Sequence, residues 1–163
     1  MKVIGSIAEA EQLVGQELGV GDWFVVDQQR IDAFADITED HQWIHVDVDR
    51  AKAESPYGTT IAHGFLTLSL LPVLSSHNYR FENSKMRINY GLNRVRFLAP
   101  VTANSRVRAR TVLVDVAKAD ETTANVTMRH TIELEGSDKP AAVADLIVRA
   151  IFELSPARPT GER

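Results

Sequence analysis

Ile61-Ala62-His63-Gly64-Phe65-Leu66-Thr67-Leu68-Ser69-Leu70-Leu71-Pro72-Val73-Leu74-Ser75-Ser76 carries no charged residue and is apolar at every helical phase. A surface helix confines its apolar residues to one stripe, so this pattern predicts a helix over 61–76 that is buried in a core. Pro72 is expected to bend or interrupt it. The surrounding uncharged stretch, Thr59–Tyr79, is broken by His63, Gly64, Thr67, Ser69 and Pro72, and its apolar part is too short to span a bilayer.

Downstream the period changes from helical to alternating. Ala124, Val126, Met128, Ile132 and Leu134 share one parity against Asn125, Thr127, Arg129, Thr131 and Glu133. Ala142, Ala144, Leu146, Val148, Ala150, Phe152 and Leu154 repeat the pattern against Asp145, Arg149 and Glu153. Such alternation marks half-buried antiparallel strands. Met86, Ile88, Tyr90 and Leu92 hold one phase and Val95 and Phe97 the other, which predicts a bulge or break near Gly91–Asn93. Helices first and strands afterwards is α+β order. The economical assembly is a single domain in which a long antiparallel sheet wraps the central helix.

Upstream, Ser6 followed by Glu9 has the spacing of a capping box and predicts a helix to about Val14, ended by Gly15, Gly19 and Gly21. Residues 1–17 are read as a helical extension, 18–154 as the domain and 155–163, with Pro156, Pro159 and Gly161, as a flexible tail. Trp23–Val26 reads as a brief strand. Asp27 is placed to cap a helix carrying Ile31, Phe34 and Ala35, with Thr38–His45 as its exit loop. A second helix is expected over Asp47–Ala53, then a turn at Ser55-Pro56-Tyr57-Gly58.

The chain has 163 residues, 18 Lys+Arg against 22 Asp+Glu, and no cysteine. That length supports one core without staples. The missing thiols exclude a disulfide scaffold, a thiolate metal site and a cysteine nucleophile. The acidic balance disfavours nucleic-acid binding, although residues 80–110 hold eight basic residues against one acidic. No targeting segment is visible in MKVIGSIAEAEQLVGQ, so a cytoplasmic location is the default expectation.

Asp40-His41-Gln42-Trp43-Ile44-His45 places one carboxylate and two imidazoles within six residues. A carboxylate and an imidazole converging on one water can divide the proton transfers needed to add it. On spacing alone a solvated helix exit, with Asp40 or His45 capping backbone groups, remains open. His41 and His45 at i, i+4 also resemble the zinc-peptidase pattern H-E-x-x-H, but Gln42 stands where the general base belongs. At the start of the buried helix, backbone N–H groups near Gly64 lack internal acceptors and could hold a developing enolate; tight packing is the other reason for a glycine there. His63 reads on its own as a structural histidine, His130 as a core or interface residue and His77 as a surface one. Arg106, Arg108 and Arg110 share one strand face, either as a solvated row or as a phosphate grip.

Phe34-Ala35-Asp36-Ile37-Thr38-Glu39-Asp40-His41-Gln42-Trp43-Ile44-His45-Val46-Asp47, followed by Tyr57-Gly58-Thr59-Thr60-Ile61-Ala62-His63-Gly64-Phe65-Leu66-Thr67-Leu68-Ser69-Leu70, resembles the signature of the MaoC-like dehydratases, the (R)-specific enoyl-CoA hydratases. Asn93–Val101, a strand ending at Pro100, is similar to the next landmark of that family. The resemblance implies a hot-dog fold, an acyl-CoA thioester substrate and a homodimer whose sheets join. It implies no metal and no cofactor, since coenzyme A enters as part of the substrate. It assigns Asp40 and His45 to activating the water, and the Gly64 N–H to polarising the thioester carbonyl. The family's Asn and Pro after the Asp are here Gln42, which keeps an amide for positioning, and Trp43, which would line the acyl pocket; His63 would contact substrate beside Gly64. The resemblance thus implies reversible hydration of trans-2-enoyl-CoA, with a carrier-protein 3-hydroxyacyl dehydratase, a thioesterase or a non-catalytic acyl-thioester-binding subunit as alternatives.

Overall fold

The computed structural model describes residues 1–153. The expected tail at 155–163, and Leu154, lie outside the described residues. The fold is the sheet around a helix that defines the hot-dog class. Four long strands, β5 (Ser84–Phe97), β6 (Ser105–Lys118), β7 (Thr123–Leu134) and β8 (Ala142–Phe152), form an antiparallel sheet with the short β2 (Glu17–Val20) and β3 (Phe24–Val26) both on β6. Its order is β2-β6-β7-β8-β5, which leaves β5 at an edge.

Alternation decides which face is buried. Ala124, Val126, Met128 and Ile132 of β7, with Ala142, Ala144, Val148 and Ala150 of β8, are all sealed from solvent. The phase slip in β5 appears as register shifts between Asn89 and Gly91 and between Leu92 and Arg94. Met86, Ile88, Tyr90 and Leu92 are nevertheless 43–54% exposed, so the apolar parity of β5 lies largely uncovered within one chain.

The central helix differs from the 61–76 expectation. It starts at Gly64, because Ile61 is held in a bridge to Thr102 and the Ala62 N–H donates to the Val101 carbonyl at 2.7 Å. It is also two helices, α5 (Gly64–Ser69) and α6 (Leu71–Leu74). Pro72 has no N–H for a continuous ladder but suits the first turn of a new helix, which is where it sits. Leu66, Leu70, Leu71 and Leu74 pack against Val26, Ile31, Val107, Ala109, Ile132, Ala142 and Ala144. Each such leucine contributes about 2 kcal/mol through burial. Phe65 and Val73 point outward, at 70% and 46% exposure, so an all-apolar helix here is not an all-buried one.

The N-terminal segment holds more than the expected helix. Ser6 caps α1 (Ile7–Gln12), and Glu9 reaches back to the Gly5 N–H at 2.8 Å, one residue before the cap. Ahead of it β1 (Lys2–Ile4) pairs in parallel with β4 (Tyr79–Phe81). Ile4, Ile7 and Ala10 join a second core cluster with Leu18, Leu113, Met128 and Phe152. The arginine row is a neutralised sheet face: Arg106 bonds Glu135, Arg108 bonds Glu133, and Arg110 bonds both Glu133 and Glu17. Among the described residues no helix is long and apolar enough to cross a membrane.

Candidate active site

Asp27 accepts the Arg30 N–H and starts α2 (Gln28–Thr38) as expected. Glu39, with φ of 59° in the left-handed region, turns the chain sharply so that Asp40 leaves the helix axis. The expected exit loop then contains one helical turn, α3 (Trp43–Val46), and His45 lies on it. That turn is held from outside. The Gln28 amide donates to the His45 carbonyl at 2.8 Å and to Asp32 at 2.7 Å, while its oxygen accepts from the buried Thr60 hydroxyl. Gln28 and Thr60 are positioning groups that the sequence does not single out, since they lie 32 residues apart and neither carries a chemical role of its own in the motifs. The next helix, α4 (Val48–Glu54), is capped by Asp47, matching the expected element.

The His45 imidazole is 7% exposed, and its Nδ1–H donates to the Ile61 carbonyl at 2.6 Å. This bond assigns the tautomer and leaves the Nε2 lone pair free. Burial lowers the His45 pKa; the Ile61 bond and Asp40 oppose that shift, and His63 adds to it. The ring is therefore neutral at neutral pH and able to accept a proton. Donor atoms of Asp40, His45 and His63 lie within 4.8 Å of one another. The Asp40 carboxylate is 56% exposed. One water can bridge a carboxylate and an imidazole at such a separation.

The same three residues invite a metal reading, which their geometry fits poorly. The His45 and His63 rings stack at 3.8 Å and 24°, so their in-plane lone pairs run side by side and do not converge on one ion. Each ring also already donates one N–H to a backbone carbonyl. The i, i+4 pairing of His41 with His45 fails for a separate reason: His41 is turned out to Asp36 at 2.9 Å, and that hydrogen bond raises its pKa.

Beside His45 opens a cleft of about 400 Å³, walled by Tyr57, Ile61, Gly64, Thr67, Phe97 and Pro100 among others. Gly64 is the first residue of α5, so its N–H has no acceptor within the helix. A methyl group at this position would meet the Phe97 ring at 3.1 Å, and the glycine is what lets backbone and aromatic wall approach. The structure thus brings Asp40, His45, His63 and Gly64 together. It does not bring Gln42 or Trp43 to the cleft: the Gln42 side chain is exposed at the start of α3, and Trp43 lies under the Arg50 guanidinium at 4.3 Å. A second, more apolar groove of about 450 Å³ runs between the central helix and β5, past Leu68, Leu71, Pro72, Leu92 and Leu146.

Comparison with known proteins gives consistent matches. Residues 9–134 match the family described as MaoC like domain. The chain is 50% identical over 151 residues to 3-hydroxyacyl-thioester dehydratase Z of Mycobacterium tuberculosis H37Rv, covering 93% of this chain and 99% of that one. It is 48% identical over 148 residues to Nodulation protein N of Rhizobium meliloti 1021, covering 90% and 92%. Among solved structures, the unliganded R-hydratase PhaJ1 from Pseudomonas aeruginosa superposes with a TM-score of 0.70 at 20% identity, covering 97% of this chain and 96% of that one. At that identity the likeness speaks for the fold alone.

Proposed function

This chain belongs to the MaoC-like domain family, and from that premise we propose that it is an (R)-specific enoyl-CoA hydratase, adding water reversibly to trans-2-enoyl-CoA to give (R)-3-hydroxyacyl-CoA. The observation that carries the reading is the convergence of a neutral, tautomer-fixed His45 and the Asp40 carboxylate within 4.8 Å, beside a cleft that also holds Gly64. In this reading Asp40 orients the water and His45 Nε2 removes its proton as the oxygen attacks Cβ. The electron pair moves onto the thioester carbonyl, where the Gly64 N–H stabilises the enolate oxygen. The imidazolium then returns the proton to Cα, so one water is consumed and no group is left over. The helix–β5 groove supplies an apolar bed for the acyl chain.

The name of the Mycobacterium tuberculosis relative supports a second emphasis, dehydration of a 3-hydroxyacyl thioester. Microscopic reversibility makes this the same catalyst run backwards, so the preferred carrier separates the two. The test is loss of enoyl-thioester absorbance with crotonyl-CoA and a longer trans-2-enoyl-CoA, followed by chiral analysis. An (R)-3-hydroxyacyl product is expected; an (S) product, or free thiol, would overturn the assignment.

We also read β5 as the seam of a homodimer. A 14-residue edge strand presents a long row of unpaired backbone groups, and its exposed Met86, Ile88, Tyr90 and Leu92 give that edge apolar surface to cover. Sedimentation at twice the 18.1 kDa chain mass is expected, and a monomer at micromolar concentration would contradict it.

A further inference from the structure

Next to the water-activating pair stands a buried imidazole to which the hydration chemistry gives no task. His63 is 3% exposed and is not among the residues lining the cleft. Its Nε2–H donates to the main-chain carbonyl of Asp40 at 2.9 Å. The same nitrogen is 3.9 Å from the Asp40 carboxylate, too far for a hydrogen bond. Its ring stacks on His45, and Phe34 leans on it at 5.0 Å. Its Nδ1 is buried with no partner among the described residues.

Asp40 follows α2, His45 sits on α3 and Gly64 opens α5, so the three reach one place from separate elements. His63 is the side chain that ties them: it is bonded to the first, stacked on the second and covalently adjacent to the third. Resting on the hydratase reading, we propose that His63 is a positioning residue, its N–H pinning the Asp40 segment to the head of the central helix and its ring face setting the plane of His45. A phenylalanine could supply the face and a glutamine the N–H; an imidazole supplies both from one buried side chain. The unpartnered Nδ1 is a cost that a side chain serving packing alone would avoid. This role differs from substrate contact, because the groups His63 touches are the loop and the base.

Two variants separate the parts. His63→Phe keeps a ring against His45 and removes the N–H; His63→Gln keeps an N–H and removes the ring. Misplacement by about 1 Å costs about 10²-fold in rate. Each variant is therefore expected to lower kcat on crotonyl-CoA by about 10- to 100-fold, with KM within about twofold. NMR titration of the His45 ring in the substrate-free protein supplies a second readout. Asp40 and His63 are the charged or titratable groups acting on His45, and His63 disfavours its protonation. Both variants remove that opposition while leaving burial, the largest cause of the lowered pKa, in place, so the His45 titration should move upward but stay below its ordinary value. A raised KM with unchanged kcat would overturn the proposal in favour of substrate contact. A kcat loss that follows a fall in Tm, with the His45 titration unmoved, would overturn it in favour of packing. Absence of wild-type turnover would overturn the hydratase reading alone, since the NMR arm needs no substrate and still decides whether His63 sets the state of His45.

Discussion

Asp40→Asn is expected to lower kcat/KM for crotonyl-CoA by roughly three orders of magnitude while leaving the thermal transition within a degree or two of wild type. The asymmetry follows from where the carboxylate sits. Its side chain is 56% exposed and accepts no side-chain hydrogen bond among the described residues, standing 3.9 Å from His63, so the fold depends little on its charge. Exposed substitutions of this kind change stability by less than about 0.5 kcal/mol. Loss of the negative charge beside the water removes an interaction that grows as proton transfer proceeds, and a thousandfold in rate corresponds to about 4 kcal/mol of transition-state stabilisation. His45→Gln should abolish activity to a similar extent, but His45 is buried and bonded to Ile61, so a loss of stability accompanies it. The pair of variants is best read together. Activity within tenfold of wild type in Asp40→Asn, measured as enoyl-thioester absorbance loss with circular dichroism as the control for folding, would sink the assignment of the water site.

What the sequence discloses about this molecule follows from how local each determinant is. Strand faces were legible because alternation is written residue by residue: Val126, Met128 and Ile132 are buried where parity puts them. Caps at Ser6, Asp27 and Asp47 were legible because a cap and the N–H it satisfies are three residues apart. The α3 turn was not, since it is stabilised by Gln28, seventeen residues earlier, and not by its own cap. The β1–β4 ladder escaped for the same reason: three residues at the chain start pair with Tyr79–Phe81 across the domain, and no local pattern announces a parallel partner. The site divides likewise. Asp40, His45 and Gly64 stood out through their motifs, whereas the stacking of His63 on His45 and its bond to the Asp40 carbonyl exist only after α5 docks against α3. Trp43 marks a different boundary: an aromatic inside a motif suggests substrate, and only the folded chain shows the Arg50 guanidinium, one helix further on, over its ring.

The pH dependence of stability should be governed at its upper acid end by His130, a residue far from the chemistry. It lies on the core face of β7 with no exposed surface, and burial pushes its pKa down to about 4, with only weak opposition from Asp145. Its Nδ1 pairs with the Thr111 hydroxyl at 3.0 Å, which in turn accepts from the Asn78 amide at 2.8 Å; Nε2 has no partner among the described residues. A second ring proton would have to enter this interior without an acceptor. In the unfolded chain the same imidazole protonates near its ordinary value of 6.5, so the unfolded state binds the extra proton first. Stability is then intact above about pH 6.5 and falls as pH drops toward 4, by about 3 kcal/mol in all. Carboxylates act in a lower window: Asp145 is held down by its two bonds from Arg129, and its contribution is lost only below the ordinary 3.8. His45, also depressed, acts in the same direction as His130 but less strongly. Urea unfolding at half-unit steps from pH 7 to 4 should therefore show a marked decline in wild type. It should be much shallower, though not flat, in His130→Leu, where Thr111 keeps its bond to Asn78 and the buried face of β7 no longer carries a titratable group. An unchanged slope in that variant would show that the imidazole is hydrated or already charged in the native state.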